Sequence, residues 1–255
     1  MKQSYVLLAL LMIIFGCNSD SDDVDAKVNA TLTFSHYWDQ TSITNSEFNT
    51  LNFTNYHGEL MSIERLRYLI SDITFTKTDG QTILLEGYNL VDVTNQTNLS
   101  FTPSQKIAKG TYSNVSFIFG LVNEKNTDGA YNDLNSASWN VPGSLGGGYH
   151  YMQLDGKFIN SSNESQGYNY HTIRAVDNID SNPSFPQNTF IRVDLEGITV
   201  ASDTEIKVLM HIDQWFKNPY SWDLNVYNQM LMPNSSAQIL MYENGQSVFS
   251  LGGIN

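Results

Sequence analysis

The chain has 255 residues, of which 41% are hydrophobic and 12% aromatic, so it can build a substantial hydrophobic core. It carries 13 basic against 26 acidic residues, and this formal net charge of -13 excludes the clustered basic surface that nucleic-acid phosphates require. A single cysteine excludes any disulfide within the chain.

The first 16 residues have the pattern of an export signal. Lys2 supplies a positive start, residues 6–15 are uncharged and apolar, and Gly16 follows. This apolar run is shorter than the roughly 20 residues that a membrane-spanning helix needs. We therefore predict a signal peptide over residues 1–16.

The only cysteine, Cys17, comes directly after this segment. The residues Ile14 to Cys17 resemble a bacterial lipobox, whose cysteine is acylated and becomes the new N-terminus. Acyl chains on Cys17 would anchor the protein in a membrane, since two or more chains give stable attachment. The alternative is an ordinary signal peptide with an incidental buried cysteine. We predict lipidation of Cys17 and an outer-membrane location.

Residues 17–29 are polar and acidic, which predicts a tether without core-forming side chains. This segment resembles the acidic export signals that follow the cysteine in surface lipoproteins of Bacteroidetes-type bacteria. A plain flexible linker is the alternative, and it leaves the periplasmic leaflet open as the location.

From residue 30 onward, short alternating runs are separated by turn residues, which predicts a single all-β domain over residues 30–255. About ten mostly antiparallel strands with long loops and one or two short helices indicate a β-sandwich. The predicted strands cover residues 31–37, 66–76, 82–93, 111–121, 149–158, 167–176, 189–200, 205–212, 238–242 and 246–251.

Turn residues further divide this domain. Asp79-Gly80 and Glu243-Asn244-Gly245 predict hairpin turns. Short helices are predicted at Ser62 to Arg65 and at Asp213 to Lys217. Residues 122–148 and 176–188 are predicted loops, and long loops on a rigid sheet are where binding sites usually lie.

The sequence lacks the motifs of common enzyme classes. It contains no Gly-x-Ser-x-Gly, no His-Glu-x-x-His and no glycine loop leading into a helix. Asp155, Asp194 and Glu196 lie on predicted strands, but a paired-carboxylate mechanism depends on a separation that sequence does not give. We predict that the protein is not an enzyme.

The five histidines carry more information. His36, His150, His171 and His211 lie on predicted strands between aromatic or apolar residues, whereas His57 lies in a turn. Imidazoles gathered from several strands can form a copper or zinc site. The alternative is that each histidine is a half-buried strand residue with its own hydrogen bond.

At these residues the chain resembles the MbnP-like copper-binding lipoproteins of Bacteroidetes-type bacteria. The resemblance spans about residues 30–250. The segments that carry it are Leu32 to His36, Arg67 to Ile73, Trp139, Gly148 to Gly156, and Tyr170-His171.

The resemblance implies a secreted β-sandwich that binds copper through histidines. Carried over to this chain, it makes His36, His150 and His171 the candidate ligands. Some members hold a tryptophan-derived group near the metal and work with a partner protein. No tryptophan lies between His150 and His171 here, and Trp139, the nearest one upstream, is the candidate aromatic contact.

Two hypotheses follow. The first is copper uptake, storage or delivery, with a metal donor or acceptor protein as partner and with Met152 or Met210 as a soft ligand for Cu(I). The second is a non-catalytic surface lipoprotein that binds glycan or a protein through the aromatic cluster around Pro219. That cluster comprises Trp215, Phe216, Tyr220 and Trp222, and its alternative role is to fill the core.

Overall fold

A computed structural model describes residues 26–255, so the predicted signal peptide, Cys17 and most of the predicted tether lie outside the described residues. The last part of the tether range contains a short strand, Lys27–Val28. The folded region therefore includes residues that the sequence assigned to the tether.

Strands dominate the described region. The strands of the first half are β1 (Lys27–Val28), β2 (Ala30–Trp38), β3 (Thr41–Ile43), β4 (Phe53–Thr54), β5 (Leu60–Met61), β6 (Arg65–Lys77), β7 (Thr82–Asp92), β8 (Ser100–Phe101) and β9 (Ile107–Ala108). The strands of the second half are β10 (Gly110–Phe119), β11 (Met152–Ile159), β12 (Ser165–Thr172), β13 (Ile191–Val200), β14 (Thr204–His211) and β15 (Phe249–Ile254). The α-helices are α1 (Asn132–Ser136) and α2 (Ser235–Gly245).

Within residues 26–255 these strands form one larger and one smaller sheet, with β1 and β9 pairing separately. The larger sheet has the order β13-β10-β6-β11-β5-β4, and β12 and β7 pair with β11 and β6. The smaller sheet has the order β15-β14-β2-β3, with β8 beside β2. Most pairs are antiparallel, but β14 and β2 run parallel.

The two sheets face each other across a shared hydrophobic core. On β2 every second side chain is buried, as expected for a strand with one face toward a core. Phe34 on β2 meets Tyr68 of β6 and Phe117 of β10 edge-on, with ring centroids 5.9 and 6.1 Å apart. The predicted β-sandwich is confirmed.

The predicted strand over residues 238–242 is wrong, because that segment lies inside helix α2. The helix begins at an Asn234 cap, whose side chain accepts a hydrogen bond from the backbone N–H of Ala237. The predicted hairpin at residues 243–245 is wrong for the same reason.

Packing explains why Asn244-Gly245 ends a helix and makes no hairpin. The fully buried Asn244 amide donates to the backbone oxygens of Trp215 and Tyr220. A Cβ on Gly245 would lie 2.3 Å from the Ile191 side chain, so only glycine fits there. Asn244 and Gly245, a pair typical of turns, here pack the end of α2 against the core.

The predicted helix at Ser62 to Arg65 is also wrong. Ser62 exchanges hydrogen bonds with Lys157 of β11, and its segment leads into β6 as extended chain. The predicted helix near Asp213 to Lys217 is confirmed as a 3₁₀ turn, Ile212–Phe216.

Among residues 26–255, no helix combines the length and apolar character that crossing a bilayer requires.

Candidate metal centre

The region around His150 and His171 lies on the outer face of the larger sheet, where β6, β11 and β12 run side by side. His171 lies opposite Gln153, and Gln153 lies opposite Arg67. Successive side chains on a strand point to opposite faces, so Asp155 shares the outer face with Gln153. The buried Leu154 between them faces the central core.

The two imidazoles form an edge-to-face pair. Their ring centroids are 5.4 Å apart with an interplanar angle of 83°. His150 is 5% exposed, and the His171 side chain is 14% exposed. The structure thus brings two of the three predicted ligands together.

Each ring is held by one nitrogen. His150 Nδ1 lies 2.9 Å from the backbone oxygen of Trp139, and His171 Nε2 lies 2.8 Å from Asp155 Oδ1. Both partners only accept hydrogen bonds, so these two nitrogens are the donors. Nε2 of His150 and Nδ1 of His171 then hold the lone pairs that a metal needs.

The charge states favour ligation. Burial lowers the pKa of His150 to about 4, so its ring is neutral at pH 7. Burial also opposes ionisation of Asp155, but hydrogen bonds from His171, Arg65 and Asn169 outweigh it and lower the pKa of this carboxyl to about 2. A permanent carboxylate therefore orients the His171 ring.

The fully buried Trp139 lies against this pair. Its ring centroid is 5.7 Å from that of His150, and its backbone oxygen also accepts the His150 backbone N–H. The Arg67 guanidinium carbon also lies 5.0 Å from the Trp139 ring centroid. Trp139, the candidate aromatic contact, therefore lies beside His150.

A cavity of about 460 Å³ opens beside His171. Met230 and Met232 line it, together with Leu145 and Ile179 from the two long loops. Met230 is 79% exposed. Among the described residues, Met230 and Met232 bring thioether groups to this cavity, whereas the predicted soft ligands Met152 and Met210 are fully buried in the central core.

The structure does not bring His36 to the pair. His36 Nε2 lies 3.0 Å from the Tyr68 hydroxyl, and both side chains are buried between the two sheets. Arg67, the neighbour of Tyr68 on β6, points to the opposite face, where the pair lies. His211 is also separate, with Nε2 2.9 Å from Ser250 Oγ in the smaller sheet.

The aromatic cluster around Pro219 is mostly core. Trp215, Phe216 and Trp222 are at most 1% exposed, and only Tyr220 is open to solvent. The Trp215 and Trp222 side chains are therefore too deeply buried to stack against a sugar.

Sequence reasoning missed the partners of the pair. The sequence suggests only a catalytic role for Asp155 and gives no role to Arg67 or Asn169. The alternation in residues 152–155 and 168–171 is a usable signal, because it places Gln153, Asp155 and His171 opposite the core-facing Met152, Leu154, Tyr168 and Tyr170. The register between the strands was needed to join them.

Sequence reasoning also missed a second group. Among the described residues, His57, Glu59 and Asp223 form the one set of three potential ligands whose donor atoms all lie within 4.8 Å of one another. No third such ligand joins His150 and His171 at that distance within residues 26–255. No local pattern linked His57 to the distant Asp223.

Comparisons with known proteins agree with this fold. The solved structure of MbnP from Methylosinus trichosporium aligns with a TM-score of 0.53 at 9% sequence identity, covering 77% of this chain and 80% of that chain. At this identity the likeness concerns the fold. No curated protein matches the sequence. The sequence profile of the MbnP family matches residues 27–234, most of the chain, and the protein therefore belongs to the MbnP family.

Proposed function

We propose that this protein binds copper outside the cytoplasm and holds the ion between His150 and His171. The observation that carries the proposal is the edge-to-face imidazole pair, in which each ring uses one nitrogen as a hydrogen-bond donor. Metal-binding histidines usually donate their other N–H to a carboxylate or backbone carbonyl, as both rings do here.

The donor set fits copper. Imidazole nitrogen suits copper in general, and thioether sulfur favours Cu(I). Met230 and Met232 line the cavity beside His171, so they provide sulfur on the route from solvent. Copper binding would not require Asp155 as a ligand. The Asp155 carboxylate already accepts hydrogen bonds from Arg65 and from the His171 N–H.

The proposal also includes the location of the protein in the cell and a protein with which it exchanges copper. Acylation of Cys17 would anchor the protein in the outer membrane, on the cell surface or on the periplasmic leaflet. From there it would take up, store or deliver copper, exchanging the ion with a donor or acceptor protein. The export pattern of residues 1–16 and the position of the only cysteine support this part.

Copper loading tests the site. The protein is treated with chelator, incubated with copper, passed over a desalting column and analysed for metal content. We expect about one equivalent of copper on the wild type and its loss from a His150→Ala plus His171→Ala variant. A His211→Ala variant is the matched control, because it removes a strand histidine from the other sheet. Equal copper in all three proteins would refute this site.

A separate experiment tests the anchor. Cells expressing the wild type or Cys17→Ser are fed a labelled fatty acid and fractionated. We expect label and membrane association for the wild type only. Membrane association of an unlabelled wild type would contradict acylation without affecting the copper site.

A further inference from the structure

A second group of potential ligands lies at the other end of the larger sheet. His57 and Glu59 belong to the turn between β4 and β5, and Asp223 belongs to the loop after the 3₁₀ turn. His57 Nδ1 is 2.8 Å from Glu59 Oε1 and 3.7 Å from Asp223 Oδ1. The three donor atoms therefore converge from two distant parts of the chain.

Asn55 fixes the two parts relative to each other. Its side-chain oxygen accepts the backbone N–H groups of Gly58 and Glu59, each at 2.9 Å. Its amide nitrogen donates to the backbone oxygen of Trp222, the residue before Asp223. Asn55 is buried, so this side chain clamps the turn to the loop.

Asn225 supplies an outer layer of contacts. Its amide nitrogen donates to Glu59 Oε1 at 2.9 Å and to Asp223 Oδ1 at 3.3 Å. Its amide oxygen accepts the Ser161 backbone N–H, which fixes the orientation of the amide. Asn225 therefore positions both carboxylates, and the carboxylates remain the potential metal ligands.

An independent observation points to a missing partner. Glu59 is only 6% exposed, and its Oε2 atom is buried with no hydrogen-bond partner among the described residues. A buried carboxylate oxygen without a partner is costly, and a bound cation would satisfy it. The His57 side chain is 43% exposed, so an ion can reach the group from solvent.

We propose that His57, Glu59 and Asp223 bind a divalent cation of the zinc type, with water in the remaining position. One imidazole and two carboxylates are a donor set that Zn²⁺ accepts, usually with three protein ligands and an open site. Calcium prefers six to eight oxygen ligands, which this group does not offer. The site shares no residue with the His150–His171 pair and does not depend on its function.

The test uses the full chain carrying His150→Ala plus His171→Ala, so that zinc at the copper pair cannot be counted. Chelator-treated protein is titrated with Zn²⁺ by calorimetry. We expect about one equivalent of bound zinc, with affinity at least 10-fold weaker after adding His57→Ala or Glu59→Gln. Adding His211→Ala instead is the control, and it should leave binding unchanged.

Several outcomes would overturn the proposal. These are no zinc binding in the starting variant, binding that survives both His57→Ala and Glu59→Gln, or calcium binding that is tighter than zinc binding. Circular dichroism and thermal unfolding check each fold. If Glu59→Gln unfolds, His57→Ala decides alone, because His57 is exposed and its removal leaves the Asn55 clamp intact.

Discussion

His36 and His150 show how the same sequence pattern leads to two different environments. Both lie on predicted strands, both are about 95% buried, and burial lowers the pKa of each to about 4. They differ in what holds the ring. His36 meets a tyrosine hydroxyl inside the sandwich, whereas His150 bonds a backbone oxygen and faces a second imidazole.

Burial alone therefore does not identify a metal ligand. A ring whose nitrogen is fixed by a core hydroxyl is part of the packing. A ring that donates one N–H to an acceptor and lies against a second histidine has the arrangement that metal-binding histidines usually show. The two roles should respond differently to substitution, although both should respond to acid.

The largest effect is expected from acid. His36 has a pKa of about 4 in the folded protein and about 6.5 when unfolded, so below pH 6.5 the unfolded chain binds a proton that the folded protein does not. Folding stability should therefore fall from about pH 6.5 to about pH 4, by up to about 3 kcal/mol from this group. Urea unfolding of copper-free protein at pH 7 and pH 4.5 measures the loss.

The variants His36→Gln and His150→Gln should each reduce this acid-dependent loss. Both rings share the same direction of shift, so the two regions are alike in this one respect. An acid-dependent loss that both variants leave unchanged would show that other groups cause it.

The second effect separates the regions. Asp155→Asn removes the charge that orients His171, and changing such an outer partner typically weakens metal binding by about 10- to 100-fold. Competition titration with a copper chelator measures the affinity. Asp194→Asn, a carboxylate on β13 outside the site, should leave it unchanged. Equal affinity in the wild type and Asp155→Asn would mean that His171 needs no carboxylate.

The smallest effect concerns the interior. Tyr68→Phe removes the hydroxyl that partners His36 and should lower the free energy of unfolding by about 1 kcal/mol. Copper content should stay the same, because the pair lies on the other face of β6. A loss of copper together with the loss of stability would show that the two regions are coupled.

Much of the fold was predictable from local pattern. Alternation located β2, β10 and β13 closely. A mostly apolar run rich in β-branched and aromatic residues located β6, and the Asp79-Gly80 turn located the returning strand β7. Helix α2 was missed because its Asn244-Gly245 end has the residues of a hairpin turn. Only the contacts of Asn244 with Trp215 and Tyr220 reveal its packing role.

For the site, local sequence was enough to predict the residue types and the face of the sheet on which they lie. Alternation around Leu154 and Tyr170 fixed which side chains point away from the core, and family resemblance selected the histidines. Tertiary structure decided which of them meet. The register of β6, β11 and β12 joins Arg67, Asp155 and His171, and the clamp by Asn55 brings Asp223 to His57. The physical reason is that a local pattern sets the direction of each side chain, whereas distances between strands depend on pairing across the whole chain.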